Sequence, residues 1–285
     1  MDVKKIGVVG CGLMGRGIVE VSAKAGYDVV VSEINQELLD KGVAAIKDSL
    51  TKAVEKGRST EDEKNAVLKR IKGTVGNSDF KDCDLVVEAA IENMELKKKI
   101  FRELDSVCAP KTILATNTSC LSVIDIASVT KRQDKVMGIH FFNPVPVMKL
   151  VELVKTITTS EDTMASARVY TEKVGKTVVI APDIPGFIVN RLLVPFLLEA
   201  VRLLETGAVT REDMDKAIQL GLNHPMGPLT LSDFIGLDTA LFICDAMYQE
   251  FKDDRFASPI LLRKMVTAGQ MGKKSGKGFY DYTKK

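Results

Sequence analysis

An apolar run that stops on a glycine, turns through two more and opens a helix can fold in few ways, and this chain begins with one. Val3 to Val9 is short and apolar and is closed by Gly10, the pattern of a strand buried on both faces. Gly10-Cys11-Gly12-Leu13-Met14-Gly15 comes next, and a helical pattern runs from about Met14 to Ala25 with Gly26 placed as its C-terminal cap. Asp28 to Ser32, carrying Val29-Val30-Val31, is a second strand, and Glu33 ends it. A strand–turn–helix–strand unit of this kind calls for a parallel sheet.

GxGxxG alone is a weak signal, since a glycine-rich turn needs no ligand. Here it follows a strand, opens a helix and is answered by an acid about 20 positions later, the context of a dinucleotide fingerprint. Gly10 permits the tight turn, Gly12 lets backbone approach a pyrophosphate, and Gly15 lets helix and strand pack closely. The helix N-terminus then offers free N–H groups to the phosphates. Glu33 is placed to accept from a ribose 2′-OH and to repel a 2′-phosphate, and no Arg follows it (Ile34 and Asn35 come next). NAD is therefore expected rather than NADP; the bland alternative is a solvated surface acid.

Further strands are expected at Leu85-Val86-Val87, Thr112 to Ala115, Val136 to Ile139, Leu150 to Val154 and Thr177 to Ile180. Helical patterns lie near Lys97 to Cys108, Val123 to Ser128 and Asp162 to Val174. Asn35 looks like the N-cap of a long polar helix running to about Glu55, and a second charged helix covers roughly Thr60 to Ile71. That pair exceeds a minimal crossover and is expected to project from the sheet. The character changes at Ala181-Pro182-Asp183-Ile184-Pro185-Gly186. Beyond it only helices are expected, at about Phe187 to Glu205, Arg211 to Leu220, Leu229 to Phe251 with a break near Gly236, and Pro259 to Ala268. The expected fold is α/β: a Rossmann-type, doubly wound, mostly parallel sheet with a projecting helical pair over residues 1–183, then an all-α domain over 184–285.

Composition narrows the partners. The 285 residues are 45% hydrophobic and 27% charged, ordinary for a globular chain, and the net charge of +2 gives no reason to expect a nucleic acid. Five cysteines, an odd number without a CxxC pair, predict reduced thiols with neither disulfides nor a metal site. The N-terminal apolar run is too short for a signal peptide and no stretch reaches membrane-spanning length, so a cytoplasmic protein without a membrane partner is expected.

Only two histidines are present. His140 follows Val136 to Ile139, at a strand's carboxyl end where open sheets bind ligands. An imidazole there can take and return a hydroxyl proton near neutral pH. Glu152, in the next strand, could hold the ring and stabilise its charged form. Ser119, after the Thr112 strand, could donate to a carbonyl or hydroxyl oxygen, and Asn190, just past the hinge, carries an amide that could do likewise. Each has a plainer reading: a structural imidazole, a surface acid, a helix cap, a first-turn residue. His224, in Asn223-His224-Pro225-Met226-Gly227-Pro228, is assigned to a turn.

With these residues in view, the sequence resembles the 3-hydroxyacyl-CoA dehydrogenase family from Lys5 to Tyr282. The likeness is carried by Gly10 to Gly15, Val87-Glu88-Ala89, Asn117 to Leu121, Asp183 to Arg191, Pro225 to Pro228 and, most specifically, His140 through Glu152 (His-Phe-Phe-Asn-Pro-Val-Pro-Val-Met-Lys-Leu-Val-Glu). The resemblance implies a catalytic pair at His140 and Glu152, with Ser119 and Asn190 on the substrate oxygen. It implies cofactor contacts at Glu33, Glu92, Lys97, Ser119, Asn143 and Lys274, beside the loop Gly10, Gly12, Leu13, Met14 and Gly15. Thioester-end contacts fall on Ser49 and Lys56, seven residues apart and so on one helix face, which Lys52 shares. Glu33 stands where the family more often has Asp, Cys120 where many relatives have Ser, and no hydratase domain accompanies the dehydrogenase. The implied reaction is NAD-dependent interconversion of (S)-3-hydroxyacyl-CoA and 3-ketoacyl-CoA, with short acyl chains expected. Two rivals remain at this point: a dehydrogenase of small free β-hydroxy acids, whose relatives use a catalytic lysine, and a non-catalytic NAD-binding protein on the same scaffold. The apolar run Leu192-Leu193-Val194 and Phe196-Leu197-Leu198, hydrophobic all round, predicts a homodimer through the helical domain.

Overall fold

In the computed structural model, which describes residues 3–283, the apolar runs of the first 183 residues become strands of one sheet. They are β1 (Lys5–Val9), β2 (Asp28–Glu33), β3 (Ile71–Val75), β4 (Leu85–Glu88), β5 (Ile113–Thr116), β6 (Val136–Phe141), β7 (Leu150–Lys155) and β8 (Thr177–Pro182). Their order is β3-β2-β1-β4-β5-β6-β7-β8. Neighbours from β3 through β6 pair in parallel; β7 pairs antiparallel with β6, and β8 runs parallel to β7. The central strands β4, β5 and β6 are buried along their whole length, as expected of strands covered on both faces.

Six helices complete this unit: α1 (Leu13–Lys24), α2 (Gln36–Glu55), α3 (Glu61–Lys69), α4 (Met94–Val107), α5 (Val123–Ala127) and α6 (Glu161–Lys173). Asn35 caps α2 by accepting from Leu38 N at 2.9 Å, and Thr60 with Glu63 forms a reciprocal capping box on α3. Leu39, Ile46 and Leu50 of α2 and Val67 of α3 join the same core as Ile18 and Val21 of α1. The helical pair thus has one face packed in the core, while Lys52 and Lys56 stay in solvent.

One strand departs from the sequence reading. The charged helix ends at Lys69, not Ile71, and Ile71–Val75 pairs with β2 as an edge strand. Gly73 there allows Leu39 to close in, since a β-carbon would meet that side chain at 3.1 Å. A second difference is local: His140 lies one residue inside β6, which extends to Phe141.

The chain divides after Asp183, and the second compact unit runs from Ile184. It contains α7 (Val189–Glu205), α8 (Arg211–Leu222), α9 (Pro228–Ile235), α10 (Leu237–Phe251) and α11 (Ile260–Thr267). Gly236, at φ +97°, makes the break between α9 and α10. Two buried carboxylates organise this unit. Asp215 accepts from Leu229 N and Thr230 N, both at 2.9 Å, at the start of α9. Asp233 accepts from Phe279 N and Tyr280 N at 2.9 Å and from the Tyr282 hydroxyl at 3.1 Å, tying down the C-terminal segment. Val194, Leu197, Leu198 and Val201 of α7 are buried, whereas Leu192 is 72% exposed. Among the described residues no helix is long and apolar enough to cross a membrane.

Candidate active site

The glycine turn between β1 and α1 has the shape that a dinucleotide needs. Gly10 has φ +91°, and a β-carbon on it would meet the Ala89 carbonyl oxygen at 2.9 Å. A β-carbon on Gly15 would overlap the Gly10 carbonyl, so only glycine lets α1 start this close to β1. Nothing lies within 4 Å of the corresponding point on Gly12, which leaves the backbone there open to a ligand. No side chain caps α1 and its first turn holds no acid, so its free N–H groups suit a pyrophosphate. Leu13 and Met14 form that first turn. Glu33, at the end of β2, accepts from Cys11 N at 2.7 Å, which places its carboxylate against the turn. The residues present therefore fit NAD on this chain's own geometry.

The antiparallel pairing of β6 and β7 sets His140 directly opposite Glu152. His140 Nδ1 lies 2.7 Å from Glu152 Oε2, and both residues are buried, Glu152 completely. The Phe142 ring packs on the imidazole with centroids 4.5 Å apart. Asn117, at the end of β5, accepts from Phe141 N at 2.9 Å and so fastens the end of β6 to β5. Carboxylate-backed, desolvated imidazoles of this kind hold one tautomer and take a proton at the far nitrogen.

Ser119 lies in the turn after β5. Its N–H and hydroxyl both reach Glu92 Oε1, at 2.7 and 3.0 Å, and the Thr118 hydroxyl reaches the same oxygen at 3.1 Å. Lys97, expected at the cofactor, is only 1% exposed; its ammonium lies 2.7 Å from Glu88 and 3.4 Å from Glu92.

Ser49, Lys52 and Lys56 line one open groove of about 760 Å³, together with Lys24, Arg58 and Arg70. A second groove of about 480 Å³ shares Ser49 and Lys52 and adds Leu13, Arg16 and Asn143. The common lining joins the glycine turn to the cationic face of α2, a surface suited to phosphate-bearing ligands. Lys176 was not foreseen: buried at the foot of β8, it donates to Val145 O at 2.5 Å and Met148 O at 2.8 Å, pinning the loop that carries Asn143. Burial lowers its pKa. No periodicity or motif marks it.

In the second unit, Asn190 is the second residue of α7, and Lys274 lies in a 3₁₀ turn with its ammonium 2.6 Å from Asp238. His224 is exposed and edge-on to Phe196, with centroids 5.9 Å apart. The five cysteines are buried and free, and burial pushes the thiols up to about 11 or 12. Among the described residues no group of three or more His, Cys, Asp or Glu could hold a metal ion.

Residues 5–184 match the 3-hydroxyacyl-CoA dehydrogenase NAD binding domain, and residues 186–282 match the C-terminal domain of the same family. A 3-hydroxybutyryl-CoA dehydrogenase of Mycobacterium tuberculosis is 49% identical over 282 residues, covering 98% of this chain and 99% of that protein. One from Clostridioides difficile is 46% identical over 280 residues, covering 98% of this chain and all of that one (100%). The crystal structure of (S)-3-hydroxybutyryl-CoA dehydrogenase from Ralstonia eutropha is similar with a TM-score of 0.95 at 42% identity, over 99% of this chain and 100% of that one.

Proposed function

Because the chain belongs to the 3-hydroxyacyl-CoA dehydrogenase family, we propose that it interconverts (S)-3-hydroxyacyl-CoA and 3-ketoacyl-CoA with NAD, acting on short acyl chains such as 3-hydroxybutyryl and acetoacetyl. The observation that carries this reading is the buried His140–Glu152 pair. In the oxidation, His140 takes the proton of the 3-hydroxyl at Nε2, while its Nδ1–H stays on Glu152, whose charge stabilises the imidazolium. When bound, NAD supplies the acceptor for the hydride leaving C3, or the donor in the reverse direction. Ser119 and Asn190 hold the C3 oxygen so that proton and hydride leave from one geometry.

Gly10, Gly12, Leu13, Met14 and Gly15 would hold the dinucleotide, with Glu33 at its ribose and Glu92, Asn143 and Lys274 as further contacts, while the buried Lys97 would act through Glu92. Ser49, Lys52 and Lys56 would hold the CoA end, in the cationic groove they line. The step belongs to fatty acid breakdown or to butyrate-type synthesis, in the cytoplasm. A homodimer through the helical unit is supported by apolar side chains left in solvent, Leu192, Leu220 and Ile260 among them.

The test mixes purified protein with acetoacetyl-CoA and either reduced cofactor and follows nicotinamide absorbance. Rapid loss with NADH, slower loss with NADPH and none with free acetoacetate are expected. Equal turnover of free acetoacetate would replace the thioester reading with that of a free-acid dehydrogenase. Tight NADH binding without turnover of any acyl-CoA would make it a binding protein.

A further inference from the structure

Beneath Ser119 five residues close a ring of polar contacts. Glu88, at the end of β4, is fully buried and holds three donors: Ala90 N and the Lys97 ammonium on Oε1, and the Thr116 hydroxyl on Oε2, each at 2.7 Å. Thr116 Oγ1 in turn accepts from Thr118 N at 3.2 Å. The Thr118 hydroxyl donates to Glu92 at 3.1 Å, and Glu92 closes the circuit to Lys97 at 3.4 Å. Ser119 hangs on this ring through its N–H and hydroxyl, both on Glu92.

Burying a carboxylate beside an ammonium costs desolvation and is seldom the cheapest way to fill a core. Leu85, Val86 and Val87, the other residues of β4, are all apolar and buried, so a fourth apolar residue would complete the strand at less cost. Glu88 stands there instead, at a carboxyl end of the sheet, and every polar atom of its side chain is used. Lys97 is shared between Glu88 and Glu92. Without Glu88 the ammonium would be left to the Ala90 carbonyl and to Glu92, each at 3.4 Å, the latter being the same carboxylate that fixes Ser119. Buried polar networks of this kind are rigid when complete and fail together when one member is lost.

We propose that Glu88 is a positioning residue for the reaction: by holding Lys97 and Thr116 it sets Glu92, and through Glu92 it fixes the Thr118–Ser119 turn in the arrangement that the chemistry uses. Its effect on Ser119 passes through the ring.

Two kinds of measurement test it. Glu88→Gln, Lys97→Met and Thr116→Val are compared with wild type by residue-resolved amide exchange and by turnover of acetoacetyl-CoA. Glu88→Gln should speed exchange of the Thr118 and Ser119 amides about tenfold or more, with β1 and β2 unchanged. It should lower kcat about tenfold while KM for acetoacetyl-CoA stays within about threefold. Because Glu88 and Lys97 act in one network, the double variant should lose about as much as one single variant, not the product of both. Thr116→Val keeps shape, removes only one hydroxyl from the ring, and should move both readouts the same way by less; it serves where a charge variant does not fold. Ser119 exchange within about twofold of wild type in Glu88→Gln and Thr116→Val, or losses that multiply in the double variant, would overturn the assignment. The rate arm rests on the dehydrogenase reading and the exchange arm does not. A wild-type protein inert toward acyl-CoA would remove that reading and leave the ring to be judged by exchange alone.

Discussion

Glutamine in place of His140 keeps much of the ring's volume and removes the imidazole nitrogen proposed to take the substrate's proton. Since Glu152 is completely buried with His140 as its partner, the substitution should cut kcat by about 10²–10⁴ and leave KM for the thioester nearly unchanged, as steady-state rates would show. Lys176→Met tests a residue of another kind. It leaves the Val145 and Met148 carbonyls without their donor, and should cost roughly 1–3 kcal/mol in urea unfolding and raise KM for acetoacetyl-CoA. The two differ in how visible they are from sequence. His140 and Glu152 can be read because they interrupt apolar strands next to a distinctive His-Phe-Phe-Asn-Pro segment. Glu88 interrupts a strand in the same way, yet one acid after three apolar residues does not say whether it faces solvent or a buried lysine. Lys176 carries no signal at all, because its partners are main-chain carbonyls some thirty residues away.

At the scale of elements, helices and central strands follow directly from capping residues and apolar runs. Asn35, Thr60 and Ser160 each accept from an amide three residues on, as their position before an amphipathic stretch implies. Thr60→Ala removes the hydroxyl that accepts from Glu63 N, leaving only the backbone half of a capping box on an exposed helix, and should cost about 1 kcal/mol in urea unfolding without altering turnover. The strand β3 was illegible for a physical reason. Ile71-Lys72-Gly73-Thr74-Val75 sits at the sheet edge, leaves Lys72, Gly73 and Val75 exposed, and offers no apolar run or clean alternation to the eye. Only its pairing with β2 makes it a strand.

Taken as a whole, the molecule places charge where it must be held by neighbours, and pH can expose this. Burial raises the Asp233 carboxyl above its ordinary 3.8, against the pull of the Tyr280 and Phe279 amides. The folded chain therefore keeps that proton to higher pH than the unfolded chain, and the group's contribution to stability grows as pH falls through that window toward 3.8. Asp233→Asn turns an NH₂ toward donors on one side, so it should cost about 2 kcal/mol near neutrality. The gap from wild type should widen on acidification toward about pH 4 in denaturant titrations. Association is checked in the same preparation: light scattering should give twice the chain mass at micromolar concentration, and Leu192→Glu should shift that mass toward the monomer. The antiparallel step from β6 to β7 has its own consequence for how such a molecule can change. The ladder between the strands, and not the segment joining them, decides that the imidazole meets its carboxylate. The exposed Pro146 and Val147 of the joining segment are then free to change, reshaping what the groove admits while the proton-handling machinery behind it is inherited intact.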